Sequence, residues 1–146
     1  MVKRILAPIG ERDHDEAIVP VVSALAHGAG STVRLMRVFP VPEGVVDSDG
    51  RTVVYSHQEM ERLTSEGLHD LARIQAQLEG IPVESVVRFG ETVEEILLEA
   101  DAFDADLIAL EGPRAGRVRD ALFPGVATRL ARNARIPTLT LRADAA

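Results

Sequence analysis

VESVVRFGETVEEILLEADAFDADLIAL, residues 83–110, is the stretch whose reading decides the fold. VESVVRF at 83–89 has the β-former content of a strand, and ADLIAL at 105–110 returns to strand. Between them, Thr92 and Glu95 have the spacing of a capping box, and Val93, Ile96, Leu97 and Ala100 give one apolar helical face. A strand, a helix and a strand in this order imply parallel neighbours, because only a crossover brings the chain back in the same direction.

The same alternation extends outward on both sides. Towards the N-terminus, RILAPI at 4–9 and TVRLMRVF at 32–39 read as strands. Asp13 or Asp15 can cap the helix between them, whose apolar positions are Ile18, Val22, Leu25, Ala26 and Ala29, with Gly28 and Gly30 ending it. Pro20 fits only in its first turn. Residues 40–55 either close as a hairpin about Asp49 and Gly50 or form a mobile connection. Ser56 and Glu59 make a capping box, and Met60, Leu63, Gly67, Leu71, Ile74 and Leu78 carry a helix on to Gly80. Towards the C-terminus, the loop EGPRAGRVRD leads to a helix with Leu122, Val126, Ala127, Leu130 and Ala134, and Pro137 introduces TLTLR as a fifth strand.

These elements predict one α/β domain over residues 1–146, a parallel sheet with helices on both faces. Ligands of such sheets gather at the carboxyl ends of the strands, near the switch in strand order. At 46% hydrophobic and 27% charged residues the chain has globular composition. It has no cysteine, which excludes disulfides, thiolate metal sites and thiol catalysis, and points to the cytosol. The N-terminal apolar run is too short for a signal segment or a span. A net charge of −7 argues against nucleic acid or an anionic membrane as partner.

RILAPI at 4–9, GETVEEILLEADAFDADLIAL at 90–110 and GVATRLARNARIPTLTLR at 125–142 together resemble a universal stress protein domain. The resemblance runs over nearly the whole chain. It implies a five-stranded parallel sheet of order 3-2-1-4-5, of the Rossmann-like, adenine nucleotide alpha hydrolase-like kind. It also implies a dimer built through the last strand and, in one branch of the family, ATP held across the carboxyl edge of the sheet.

Nucleotide-binding members of that family share a loop of the form G-x-x-G, nine residues, then G and S or T, between the fourth strand and the last helix. Bare backbone amides and a helix N-terminus face the phosphates there. Aligned without gaps from Pro137, the glycine positions fall on Glu111, Arg114 and Pro124, and the hydroxyl position on Gly125. With one residue deleted, Gly112 and Gly125 supply the first and third glycines, while Ala115 and Val126 replace the second glycine and the hydroxyl residue. The aspartate that binders place two residues after the Pro8 position is Gly10 here. The candidate nucleotide-site residues are therefore Pro8, Gly10, Val38, Gly112, Arg114, Gly116, Arg117, Gly125 and Val126. In one reading Arg114, Arg117 and Arg119 replace glycine amides as anion ligands; in the other they form a solvated loop.

Gly112 and Gly116 also suit an ordinary strand-to-helix bend. His14, His27, His57 and His69 are scattered without metal-site spacing, and no metal is expected. Glu94 with Glu95, and Asp101 with Asp104 and Asp106, read as a solvated helix face. No G-x-S-x-G elbow and no lysine after a glycine-rich loop is present, so no enzyme signature is found. A phosphoacceptor receiver of similar topology is disfavoured by Gly10 and by Arg88, Phe89 and Gly90 where acidic residues are needed. The expectation is a non-catalytic stress-response or regulatory module with a weakened or lost ATP site and no required cofactor. The alternative is a sensor of ATP or AMP with a remodelled loop. A homodimer is expected through Thr138, Leu139, Thr140, Leu141 and Arg142, an apolar edge strand that needs cover.

Overall fold

The computed structural model describes residues 2–10, 17–112 and 125–141. In chain order its elements are β1 (Arg4–Pro8), α1 (Ile18–Ala29), β2 (Thr32–Phe39), β3 (Val45–Val46), β4 (Thr52–Val54), α2 (Ser56–Gln75), β5 (Val83–Phe89), α3 (Thr92–Phe103), β6 (Leu107–Glu111), α4 (Val126–Asn133) and β7 (Thr138–Leu141). Five of the strands form one parallel sheet in the order β5-β2-β1-β6-β7, which is the expected 3-2-1-4-5. The short β3 and β4 pair only with each other.

Alternation along the strands divides the core in two. Ile5, Ala7, Val33 and Leu35 meet α1 and α2 on one side, while Leu6, Met36, Ile108 and Leu110 meet α3 and α4 on the other. Strands buried on both faces explain the near-continuous apolar runs that made them legible.

Several helix ends differ from the sequence expectation. Ser56 and Thr92 are already helical, so neither hydroxyl is the cap. The extended residue before each helix takes that place: Tyr55 N donates to Gln58 Oε1 at 3.4 Å, and Glu91 Oε2 accepts from Glu94 N at 2.8 Å. Glu59 instead pairs with Arg62. Gly28 lies within α1, and Gly30 alone ends it in the left-handed region. Pro20 is in the first turn, and the capping candidates Asp13 and Asp15 lie outside the described residues. The second long helix stops at Gln75, short of Gly80, with Leu78 still buried in the turns that follow.

Of the two readings for residues 40–55, the hairpin forms. Asp47 organises it: its Oδ1 accepts from Asp49 N and Arg51 N, both at 2.9 Å, and its carbonyl accepts from Gly50 N at 3.1 Å. None of the described helices is long and apolar enough to cross a membrane.

Candidate functional site

The sheet order reverses between β1 and β6, so the crevice favoured for ligands lies above the carboxyl ends of these two strands. Pro8 is the last residue of β1 and is buried. Just beyond it, Ile9 N donates to Met36 O at 2.8 Å, which keeps the chain in the sheet as far as Gly10. The β1–β2 register, Pro8 opposite Met36, brings Gly10 level with Val38 when continued by two residues. The β1–β6 register, Leu6 opposite Ile108, carries Gly112 to the same level. Three candidate positions thus share one edge on adjacent strands.

Gly112 has a packing reason to be glycine. Its N–H donates to Leu141 O at 2.8 Å, and a Cβ on it would lie 2.8 Å from Thr140 Cγ2. Gly125 stands at the other end of the loop as the N-cap of α4, with φ 88° and ψ −2°. That left-handed conformation favours glycine with no ligand present. Val126, aligned with the hydroxyl residue in one reading, is only 3% exposed and packs into the α3/α4 core with Leu130. Its side chain is therefore turned away from the solvent edge. Val38 is half-buried against the same core. Arg114, Gly116 and Arg117, together with Ala115, Arg119 and Pro124, lie outside the described residues.

The edge carries two arginines that the sequence reading did not place there. Arg88, the penultimate residue of β5, pairs in register with Val38. Its Nε donates to Glu95 Oε1 at 3.1 Å, and its Nη1 lies 3.7 Å from Glu99 Oε1. Arg34, four register pairs lower on the same face, reaches Glu99 at 3.3 Å and stacks 4.2 Å over the Phe103 ring. Arg129, in the first turns of α4, donates to Glu91 Oε1 at 2.5 Å. Glu91, Glu95 and Glu99 follow one another at i,i+4 along α3, so a single stripe of the helix holds these cations. The amide of Glu94, and after it the Arg129 guanidinium, hold the Glu91 carboxyl below the usual range.

The reading of the acidic residues as a solvated face holds for Glu94, Asp101 and Asp104, which are exposed, and is corrected at Glu95 and Asp106. Glu94 is exposed, but Glu95 is largely covered and Glu99 is buried at 4% exposure against the sheet arginines. Asp106 is also committed: its Oδ2 accepts from Lys3 N at 2.8 Å and Arg4 N at 2.9 Å, and these two bonds lower its pKa. The i,i+4 spacing of the glutamates was a visible signal. Pairing them with Arg88 and Arg34 required the strand register. His27, His57 and His69 lie apart on α1 and α2, and no group of potential metal ligands occurs among the described residues.

Residues 1–142 match the universal stress protein family. Among solved structures, the chain is similar to the hypothetical protein MJ0577, at 20% identity and TM-score 0.75 over 100% of this chain and 99% of the other. It is also similar to a universal stress family protein from Burkholderia pseudomallei, at 20% identity and TM-score 0.72, with 97% of each chain covered. A universal stress protein from Archaeoglobus fulgidus, solved in complex with dAMP, aligns at 17% identity and TM-score 0.62 over 97% of this chain and 98% of that one. No curated protein matches. The family match over almost the entire length, together with the 3-2-1-4-5 parallel sheet, establishes that this chain belongs to the universal stress protein family.

Proposed function

We propose that this chain is a non-catalytic stress-response or regulatory module of the cytosol, acting as a homodimer, in which the ATP site of the family's nucleotide binders is weakened or lost. The observation that carries this reading is that both glycines retained from the loop pattern are explained without a ligand. Gly112 is fitted against Thr140, and Gly125 supplies a left-handed N-cap. Gly10, where the resemblance calls for an aspartate, offers no carboxylate to adenine or ribose. The open edge of β7 supports the dimer.

A second reading, a sensor of ATP or AMP, is favoured by the cations at the same edge. Arg88 is in register with Val38, and Arg129 stands in the first turns of α4, where guanidinium groups suit phosphate oxygens. The relative from Archaeoglobus fulgidus was solved with dAMP. A thermal-shift screen with ATP, ADP, AMP and cyclic nucleotides separates the two. The first reading predicts no stabilisation by any of them and no nucleotide in the purified protein. Stoichiometric ATP after purification would contradict it.

A further inference from the structure

At the carboxyl edge, Arg129 and Arg88 are each held by a carboxylate from the start of α3. Both oxygens of Glu91 are engaged: Oε1 accepts from Arg129 Nη1 at 2.5 Å, and Oε2 accepts from Glu94 N at 2.8 Å. The carboxylate thus lies between an amide at the start of α3 and a guanidinium in the first turns of α4. These are the two kinds of donor that a phosphoryl group uses at such an edge. Because the amide already fixes the carboxylate in place, holding Arg129 costs it little further ordering.

A second internal carboxylate covers the tip of β5. A Cβ on Gly90 would lie 2.9 Å from both Cγ and Cδ of Glu95 and 3.2 Å from its Oε2, so the glutamate fills the space over that glycine. Its Oε1 accepts from Arg88 Nε at 3.1 Å, and Glu99 Oε1 lies 3.7 Å from Arg88 Nη1. Glu94, between Glu91 and Glu95 in sequence, differs from both. It is exposed, and its side chain has no ion pair or hydrogen bond among the described residues.

We propose that Glu91 is a built-in competitor for phosphate: its carboxylate takes the place on Arg129 that a phosphoryl oxygen would take, and repels phosphate-bearing ligands from the edge. The inference rests on the reading of this edge as a weakened phosphate site, and adds a cause of the weakness that lies outside the glycine loop. The side chains of Arg129 and Glu91 are 52% and 39% exposed, so solvent screens the pair and the competition is modest in size.

NMR titration with inorganic pyrophosphate and with ATP at fixed ionic strength, which reads millimolar dissociation constants, tests it. The proteins compared are the parent, Glu91→Gln, Glu94→Gln and Glu91→Gln combined with Arg129→Gln. Glutamine keeps an oxygen to cap Glu94 N, so the fold should persist, and thermal unfolding checks that it does. Glu91→Gln is expected to lower the dissociation constant for both probes about tenfold. Glu94→Gln makes the same change in net charge and should leave the constant near the parent value. Arg129→Gln in the Glu91→Gln background should remove most of the gain. No tightening in folded Glu91→Gln, an equal tightening in Glu94→Gln, or a gain that survives the loss of Arg129 overturns the inference. Tight ATP binding by the parent overturns the reading of a weakened site, while the ratio of Glu91→Gln to the parent still decides the role of Glu91.

Discussion

The two ends of the sheet are built differently. At the amino end the strand starts are tied by side chains: Asp106 holds the amides of Lys3 and Arg4, and Ser31 Oγ donates to Val2 O at 2.6 Å. At the carboxyl end the strands run into glycines, at 10, 90 and 112, and are closed mainly by backbone bonds such as Gly90 N to Phe39 O at 2.9 Å. The amino end ties the strand starts themselves, while at the carboxyl end the pairs of Arg88 with Glu95 and Arg129 with Glu91 leave the glycine tips of β1 and β6 bare. Bareness does not by itself make a ligand site. Gly112 is bare because Thr140 fills the space a side chain would need.

The largest expected effect breaks that explanation directly. Gly112→Ala should lose roughly 1–3 kcal/mol of stability, the usual cost of forcing a methyl into a filled space. Thr140→Ser, which removes the Cγ2 at 2.8 Å, should restore much of it in the double variant. Denaturant unfolding of the four proteins gives the coupling, and its absence would make Gly112 a ligand glycine again.

A smaller effect belongs to the stitched end. Asp106 owes its lowered pKa to the amides of Lys3 and Arg4, so its stabilising contribution is full above the unfolded value, about 3.9, and is lost as pH falls through the lower folded value. Asp106→Asn should therefore lower the unfolding midpoint at neutral pH, and the gap to the parent should close on acidification. A gap that is constant down to pH 2 would mean that the carboxylate does not act through these bonds.

The smallest energetic effect is expected in the β3–β4 hairpin, which pairs only with itself. An isolated two-stranded ribbon is marginal in water, so the amides of residues 43–55 should exchange among the fastest in the chain. Protection there equal to that of β1 and β2 would show that the hairpin is anchored to the body of the domain.

Much of the fold was legible because buried parallel strands are near-continuous apolar runs, as RILAPI and TVRLMRVF are, and because the α3 apolar face recurs at helical spacing. The strand order came from the family resemblance, not from periodicity. Helix starts differ by one residue at Ser56 and Thr92, since a hydroxyl followed by an acid three residues on looks like a cap whether or not its backbone is extended. The arginine–glutamate pairing along α3 was hidden because it joins β2, β5 and α4 to one helix stripe, and sequence spacing carries no information across elements. At the site, the loop mismatches were visible in the sequence. The packing role of Gly112, and the burial that turns Val126 away from the edge, needed the neighbours that only the fold supplies.

On the proposed function the carboxyl edge lacks the groups by which the family's binders hold ATP, and calorimetric titration of the parent beside a repaired variant measures that lack. The repair is Gly10→Asp with Ala115→Gly, the missing second glycine of the alignment in which Gly112 and Gly125 are retained, leaving Gly125 in place because its φ of 88° suits glycine. Each restored hydrogen bond is worth roughly 1 kcal/mol net, so the folded variant should bind ATP about a hundredfold more tightly, while the parent shows no saturable heat up to about 1 mM. Equal affinities in parent and variant, or tight one-to-one binding by the parent, would contradict the account.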